Sequence, residues 1–302
     1  MQKEQLSLGI IGISEGNGHP FSWSSIFNGY DVLRMEECGY PAIPRYLEKE
    51  HWPNAKLISA KVNYVWTQDL SMSKRIAQTT LIPNIANAPE DMLGRVDAIL
   101  LARDDAKNHL KNAKIFLENK VPIYIDKPIA TSCVSLDRLW NTQTFDYQVF
   151  SCSALSFADE LQLDLFERQK IGEIISITAW SPKCWGKYAI HLIEPIIDYF
   201  GDEDTMVSHT AMHDKDGATR LELTYENCPR IVIETLGTKS GSGFGIRYTG
   251  ENGIVEKVPT DMFKAFKNSL ALFVTNVRHP RRSFATSYEH HRKVVKIIEL
   301  GT

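Results

Sequence analysis

Over residues 6–127 the chain alternates short apolar runs with stretches of helical periodicity, and this alternation restricts its architecture more than any other feature of the 302 residues. The runs "LSLGIIGI", "AKLISAKVNYVW", "VDAILLA" and "VPIYID" read as strands, whereas "WSSIFNGY" opens a helix and "SMSKRIAQ" and "KNHLKNAKIFLENK" continue the helical pattern. Apolar strands separated by helices predict a parallel sheet covered on both faces, a doubly wound α/β unit. Residues 134–140 have a helical pattern, and "FDYQVFSCSALSF" returns as a strand at the edge of the same sheet.

Beyond this point the rhythm changes. A helix is expected over 158–169, a strand in "GEIISITAW" and a helix following His191. Four segments then alternate polar and apolar residues: "TRLELTYEN", "PRIVIETLG", "FGIRYTG" and "GIVEKV". Asn-Cys-Pro, Gly-Ser-Gly and Gly-Glu-Asn-Gly turns punctuate them, so a largely antiparallel sheet is predicted, closed by a helix over about 288–299. The division expected is 1–127 and 128–302, with about 134–155 packing back on the first part.

Composition excludes several classes of function. Thirty-four basic against 37 acidic side chains give a net charge of −3, which offers no overall pull toward nucleic acid or an anionic membrane. Cys38, Cys133, Cys152, Cys184 and Cys228 are scattered, odd in number and never in a CxxC pair, so reduced thiols are expected rather than disulfides or a metal site. The N-terminus "MQKEQLSLGI" lacks the apolar core of a signal peptide, and no run approaches the roughly 20 apolar residues of a membrane span. A cytoplasmic protein is expected, with a His290-His291 pair lying solvated on its closing helix.

The first strand runs into "GISEGNGHP". A strand, a tight glycine turn and a helix N-terminus together bind pyrophosphate, because glycine admits close backbone approach and unpaired helix N–H groups favour an anion. The GxGxxG spacing requires glycine at 12, 14 and 17, but the chain has Gly12, Ser14 and Asn17, with additional glycines at 16 and 18. The second strand ends "VNYVWTQD", placing Thr67 where an acidic residue usually grips the ribose and Asp69 slightly late. Lys74 and Arg75 follow, suited to a 2′-phosphate or simply to solvent. The choice between NAD and NADP stays open.

The stretch "VDAILLARDDAKNHLKNAKIFLENKVPIYIDKPIA" resembles the glucose-fructose oxidoreductase family (Gfo/Idh/MocA), in which a strand runs into Glu-Lys-Pro. Here the signature is Asp126-Lys127-Pro128. The resemblance extends over nearly the whole chain and implies a Rossmann-like dinucleotide-binding domain followed by a substrate-binding and oligomerisation domain with an open antiparallel sheet. Lys127 also has a reading of its own: at the carboxyl end of a buried strand, a lysine donates to a substrate oxygen. In "CWGKYAIHLIEPIIDYFG" the family places a histidine four residues after an aspartate. His191 matches the histidine, while Lys187 stands in place of the aspartate. In a continuous helix Lys187, His191 and Glu194 share one face, but Pro195 cannot donate to the His191 carbonyl, so the helix either starts after His191 or kinks there.

The resemblance therefore implies an NAD(P)-dependent oxidoreductase that passes hydride between nicotinamide and a small polyhydroxylated substrate, a sugar, cyclitol or sugar nucleotide. Lys127 orients the oxygen and His191 exchanges its proton, with Lys187 and Tyr188 as further catalytic candidates. The cofactor candidates are Gly12, Ser14, Gly16, Asn17, Gly18, Thr67, Asp69, Ala102, Arg103, Asp126 and Lys127. A homodimer or homotetramer through the C-terminal sheet is expected. The alternative is a non-catalytic ligand-binding or regulatory homologue whose cofactor site has degenerated.

Overall fold

The computed structural model describes residues 5–237 and 243–302. In chain order its first elements are β1 (Leu6–Ile11), α1 (His19–Asn28), α2 (Val32–Glu36), α3 (Ala42–Leu47), β2 (Ala60–Trp66), α4 (Leu70–Thr79), β3 (Asn84–Ile85), β4 (Ala98–Leu101), α5 (His109–Glu118), β5 (Ile123–Ile125), α6 (Cys133–Trp140) and β6 (Val149–Phe150). The strands form one parallel sheet in the order β3-β2-β1-β4-β5-β6, with β6 at the expected edge. Leu8, Ile10 and Ile11 of β1 and all of β4 are fully buried, as continuous apolar strands in a sheet covered on both faces must be. Strand order reverses between β1 and β4. The carboxyl ends of these two strands are where open α/β sheets bind ligands, and they carry Gly12 and Ala102.

The following elements are α7 (Leu165–Ile171), β7 (Ile174–Ser181), α8 (Trp185–Tyr188), α9 (Ile190–Ile193), β8 (Met206–His213), β9 (Thr219–Tyr225), β10 (Arg230–Thr235), β11 (Gly245–Gly250), β12 (Gly253–Lys257), α10 (Met262–Arg278) and α11 (Tyr288–Leu300). The second sheet has the order β12-β11-β7-β10-β9-β8, and every pairing is antiparallel except β7 with β10. Its inner face contributes Ile177, Leu221, Leu223, Ile231, Ile233 and Tyr248 to a core closed by Trp185, Ile190, Ile193, Val294 and Ile298. The chain divides into two compact units: the first holds Met1–Ala130, Val134–Cys152 and Phe266–His291, the second Thr131–Cys133, Ser153–Ala265 and Arg292–Thr302. Among the described residues no helix is long and apolar enough to cross a membrane.

The structure corrects several expectations. Helix α1 begins four residues before "WSSIFNGY", at His19, with Pro20 in its first turn, where a missing N–H leaves no bond unmade. The helix expected over 158–169 is a single 3₁₀ turn, Asp159–Leu161, followed by α7, whose Asp164 and Glu167 form a reciprocal cap. The helix expected after His191 starts before it: His191 lies within α9, and the break required by Pro195 falls at Ile196, the non-helical residue of a 3₁₀ stretch. His291 is not solvated. It is 1% exposed and its Nε2 meets the Ala285 carbonyl at 3.1 Å. Strand β8 and the 17-residue helix α10 were not anticipated. The Gly-Ser-Gly turn includes residues 241 and 242, outside those described.

Gly250 ends β11 at a register shift in its pairing with β7, and a Cβ there would stand 2.3 Å from the backbone oxygen of Ile171. A backbone atom cannot swing aside as a side chain can. Gly250→Ala is expected to destabilise the protein by about 1–3 kcal/mol, read from the midpoint of urea unfolding. An unchanged midpoint would show that α7 and β11 tolerate separation.

Candidate functional site

In the first unit the site is built on the turn between β1 and α1. Gly12 has φ +80°, and a Cβ on it would strike the Arg103 stem at 2.5 Å, so only glycine fits under that arginine. The two side chains that replace the usual glycines both point inward. Ser14 Oγ donates to Asp104 Oδ1 at 2.7 Å and accepts from the Asp104 amide at 3.1 Å, tying the turn to the loop after β4. Asn17 Nδ2 donates to Asp126 Oδ2 at 2.7 Å, tying it to the end of β5, while its Oδ1 accepts the His19 amide at 2.8 Å and starts α1. Gly18 packs beneath Tyr40 and Ile43, where a Cβ would approach within 2.6 Å. Gly16 is open, with nothing within 4 Å of a would-be Cβ.

Asp126 and Lys127 follow β5 and are almost fully buried. Besides Asn17, the Asp126 carboxylate takes His19 Nδ1 at 2.7 Å on Oδ2 and the Lys127 amide at 2.8 Å on Oδ1. Burial by itself raises its pKa, but the charge and hydrogen bond of His19, the Lys127 charge and the Asn17 amide together hold it well below the usual carboxylate range. Lys127 Nζ lies 3.9 Å from Asp104 Oδ2. Ser14, Asp104, Lys127, Asp126, Asn17 and His19 thus form one buried polar cluster at the carboxyl ends of β4 and β5. Lys127, Asp126, Ser14 and Asn17 were anticipated. His19 and Asp104 were not, because the contacts that define them span 107 and 90 residues of chain.

Other candidates lie around the same turn. Arg103 forms a two-pronged ion pair with Asp105 and reaches Gln68 Oε1 at 3.2 Å, while Gln68 Nε2 donates to the Ile13 carbonyl at 2.8 Å. The Ala102 amide donates to Ile11, holding β4 against β1. Thr67 is buried with its hydroxyl on the Asp69 carbonyl and Ser73 Oγ, and Asp69 caps α4 through the Ser71 amide. Arg75 donates to the Glu37 carbonyl and lies over the Phe21 ring, 6.0 Å from its centroid.

The second unit holds His191. Its Nδ1 is 2.7 Å from Ser153 Oγ, and the same serine's amide donates to Glu194 Oε2 at 2.6 Å, so both side chains converge on one residue. Glu194 also accepts from Ser156 Oγ at 2.9 Å. The imidazole meets the rings of Tyr188 and Phe244 at centroid distances of 5.5 and 5.4 Å, and Tyr188 Oη accepts from Lys183 Nζ at 2.5 Å. Lys187 is part of α8 and half-buried. Ser153, which organises this group, carried no signal in the sequence reading.

No family model matches the chain, and no curated protein matches it. Solved structures do. The apo scyllo-inositol dehydrogenase of Lactobacillus casei superposes with a TM-score of 0.71 at 13% identity, covering 100% of this chain and 96% of that one. A putative myo-inositol dehydrogenase of Sinorhizobium meliloti gives 0.71 at 12% identity, covering 98% and 96%. An oxidoreductase of Agrobacterium radiobacter, solved with NAD+, L-tartaric acid and magnesium, gives 0.68 at 12%, covering 98% and 95%. The chain has the fold of these dehydrogenase structures, which is the fold that the resemblance to the Gfo/Idh/MocA family implied.

The Asp126 contacts make a pH prediction. A carboxylate whose folded pKa is depressed stabilises the protein above its unfolded pKa, and that contribution is lost as pH falls through the folded value. Asp126→Asn is therefore expected to cost on the order of 3 kcal/mol at neutral pH, with the difference from wild type narrowing below about pH 4. Urea unfolding of both proteins at a series of pH values measures it. A penalty that stays constant into acid would mean the charge of Asp126 contributes nothing.

Proposed function

We propose that this protein is an NAD(P)-dependent oxidoreductase that moves hydride between nicotinamide and a hydroxyl-bearing carbon of a sugar, cyclitol or related polyol. The observation that supports this most directly is Lys127. It is a buried ammonium in a buried Asp-Lys-Pro at the carboxyl end of β5, two strands from a glycine turn, within a fold shared with inositol dehydrogenases.

The turn fits a dinucleotide even though its glycine spacing is displaced. Among the described residues the amides of Gly16 and Gly18 make no hydrogen bond, Gly16 is open, and Arg103 lies over Gly12. Free backbone donors at Gly16 and Gly18 beside a guanidinium are groups that a pyrophosphate takes up. The turn at 12–18 and Arg103 would hold the diphosphate, and Thr67 and Asp69 stand where the second strand meets the ribose. Nicotinamide, when bound, supplies the hydride chemistry. The chain's own part is to bind, orient and manage protons: Lys127 Nζ donates to the substrate oxygen and stabilises charge on it. Exposed Ile175, Val207, Met212 and Ile254 on strands of the second sheet support pairing of that sheet with another copy.

Two measurements test the reading. Calorimetry with oxidised and reduced NAD and NADP is expected to give binding heat with at least one pair; no heat from any would favour the non-catalytic homologue. With a panel of inositols and sugars as substrates, Lys127→Met is expected to lower kcat on the order of 10²-fold while nucleotide affinity changes little. Undiminished turnover would remove Lys127 from the chemistry.

A further inference from the structure

We propose that His19, oriented by Asp126, is the group that exchanges the substrate's hydroxyl proton, through its Nε2; this rests on the oxidoreductase reading above. The ionised Asp126 Oδ2 can only accept, so the contact at 2.7 Å places a proton on His19 Nδ1 and leaves Nε2 as the nitrogen that exchanges one. An ionised aspartate fixing one imidazole nitrogen so that the other acts as base is the logic of the hydrolase triads, here without a nucleophile. Asp126 itself is unsuited to be the base: it is 1% exposed and its oxygens are taken by Asn17, His19 and Lys127.

The ring is held for this task. It stacks on Trp23 with centroids 4.9 Å apart and planes 17° from parallel, and it meets Phe266 of α10 edge-on at 5.2 Å. Nδ1 is engaged by Asp126, the side chain is 16% exposed, and Nε2 makes no hydrogen bond among the described residues. The charged groups around it are Asp126 and Lys127 from the end of β5 and, through Lys127, Asp104 after β4; α1 contributes Trp23, α10 Phe266, and α3 Tyr46 behind Phe266.

In the oxidative direction the substrate O–H bond breaks and its proton forms an N–H bond at Nε2. The electron pair left on oxygen becomes the second C–O bond as hydride departs from carbon to oxidised nicotinamide, which gains two electrons. The imidazolium faces the Asp126 carboxylate until it loses its proton to solvent. Reduction runs the same steps backwards.

The test uses the full-length protein. Diethyl pyrocarbonate, which acylates unprotonated imidazole nitrogen, is expected to label His19, as located by mass spectrometry, and NADH is expected to slow that labelling. With scyllo-inositol and NAD+ as the probe reaction, His19→Asn is expected to lower kcat/KM about 10²-fold and to erase the limb that rises from acid toward neutral pH. The asparagine amide can still donate to Asp126, so this variant removes the exchanger and keeps the tie. In His19→Ala, added imidazole is expected to restore part of the rate, which a purely structural histidine would not allow. A His19 that resists labelling, labelling that NADH leaves unaffected, or a pH limb that survives in His19→Asn would each overturn the proposal. If none of these variants turns over scyllo-inositol, the labelling arm decides. Absence of calorimetric heat with every nucleotide overturns the oxidoreductase reading and this proposal together, whereas an unlabelled His19 alongside clear nucleotide heat overturns only the dyad.

Discussion

One carboxylate joins the parts of the first unit that carry chemistry. Asp126 accepts from Asn17 and His19 on one oxygen and from the Lys127 amide on the other, so the turn after β1, the start of α1 and the exit from β5 are fixed by a single buried anion. A buried carboxylate is costly unless fully paired, and this one is paired at both oxygens, with a lysine charge beside it. Two departures from the patterns that the sequence resembles meet here. The turn has Asn17 where a third glycine is usual, and the strand ends in Asp126 where the resemblance has Glu. Asn17 and Asp126 are hydrogen-bonded to each other, so the departures form one local solution in which a side-chain bond replaces the close packing that glycine normally provides.

Much of the fold was legible because it depends on periodicity within short windows. Strands β1, β4 and β5 are apolar on both faces, β9 alternates, and β10 carries a short run of buried β-branched residues, so their sequences announce them. Strand β8 is an edge with almost every side chain exposed, so no buried face imposed a pattern on it. Helix α10 did carry a signal: Asp261 accepts the Lys264 amide as an N-cap, and Phe263, Leu270, Phe273 and Val274 make its buried face. That periodicity sits among lysines and follows directly on strand β12, where the antiparallel pattern still dominates.

Site residues divide along the same line. Lys127 is readable because its strand is, and His191 because its motif is local. His19 is not, since in sequence it is a lone histidine after a glycine turn and its partner lies 107 residues away. Ser153 is likewise visible only once the chain has brought α9 against it. The helix break near His191 shows a local rule holding in kind and missing in place: Pro195 does end regular α-helix, but the three residues before it remain helical, and the distortion falls on Ile196.

The single parallel pairing in the second sheet has a consequence for synthesis of the chain. Strand β7 is central, between β11 and β10, yet both neighbours lie far downstream of it, and the strands made next, β8 and β9, pair with each other and with β10. As the polypeptide emerges, β7 therefore presents two unpaired edges until Arg230 and the residues after it have been added. Exposed strand edges recruit other strands, so this is the interval in which the nascent chain is most open to mispairing and most dependent on being shielded. A product cut short within β9 would keep the whole parallel sheet and still leave the centre of the second sheet bare on both sides.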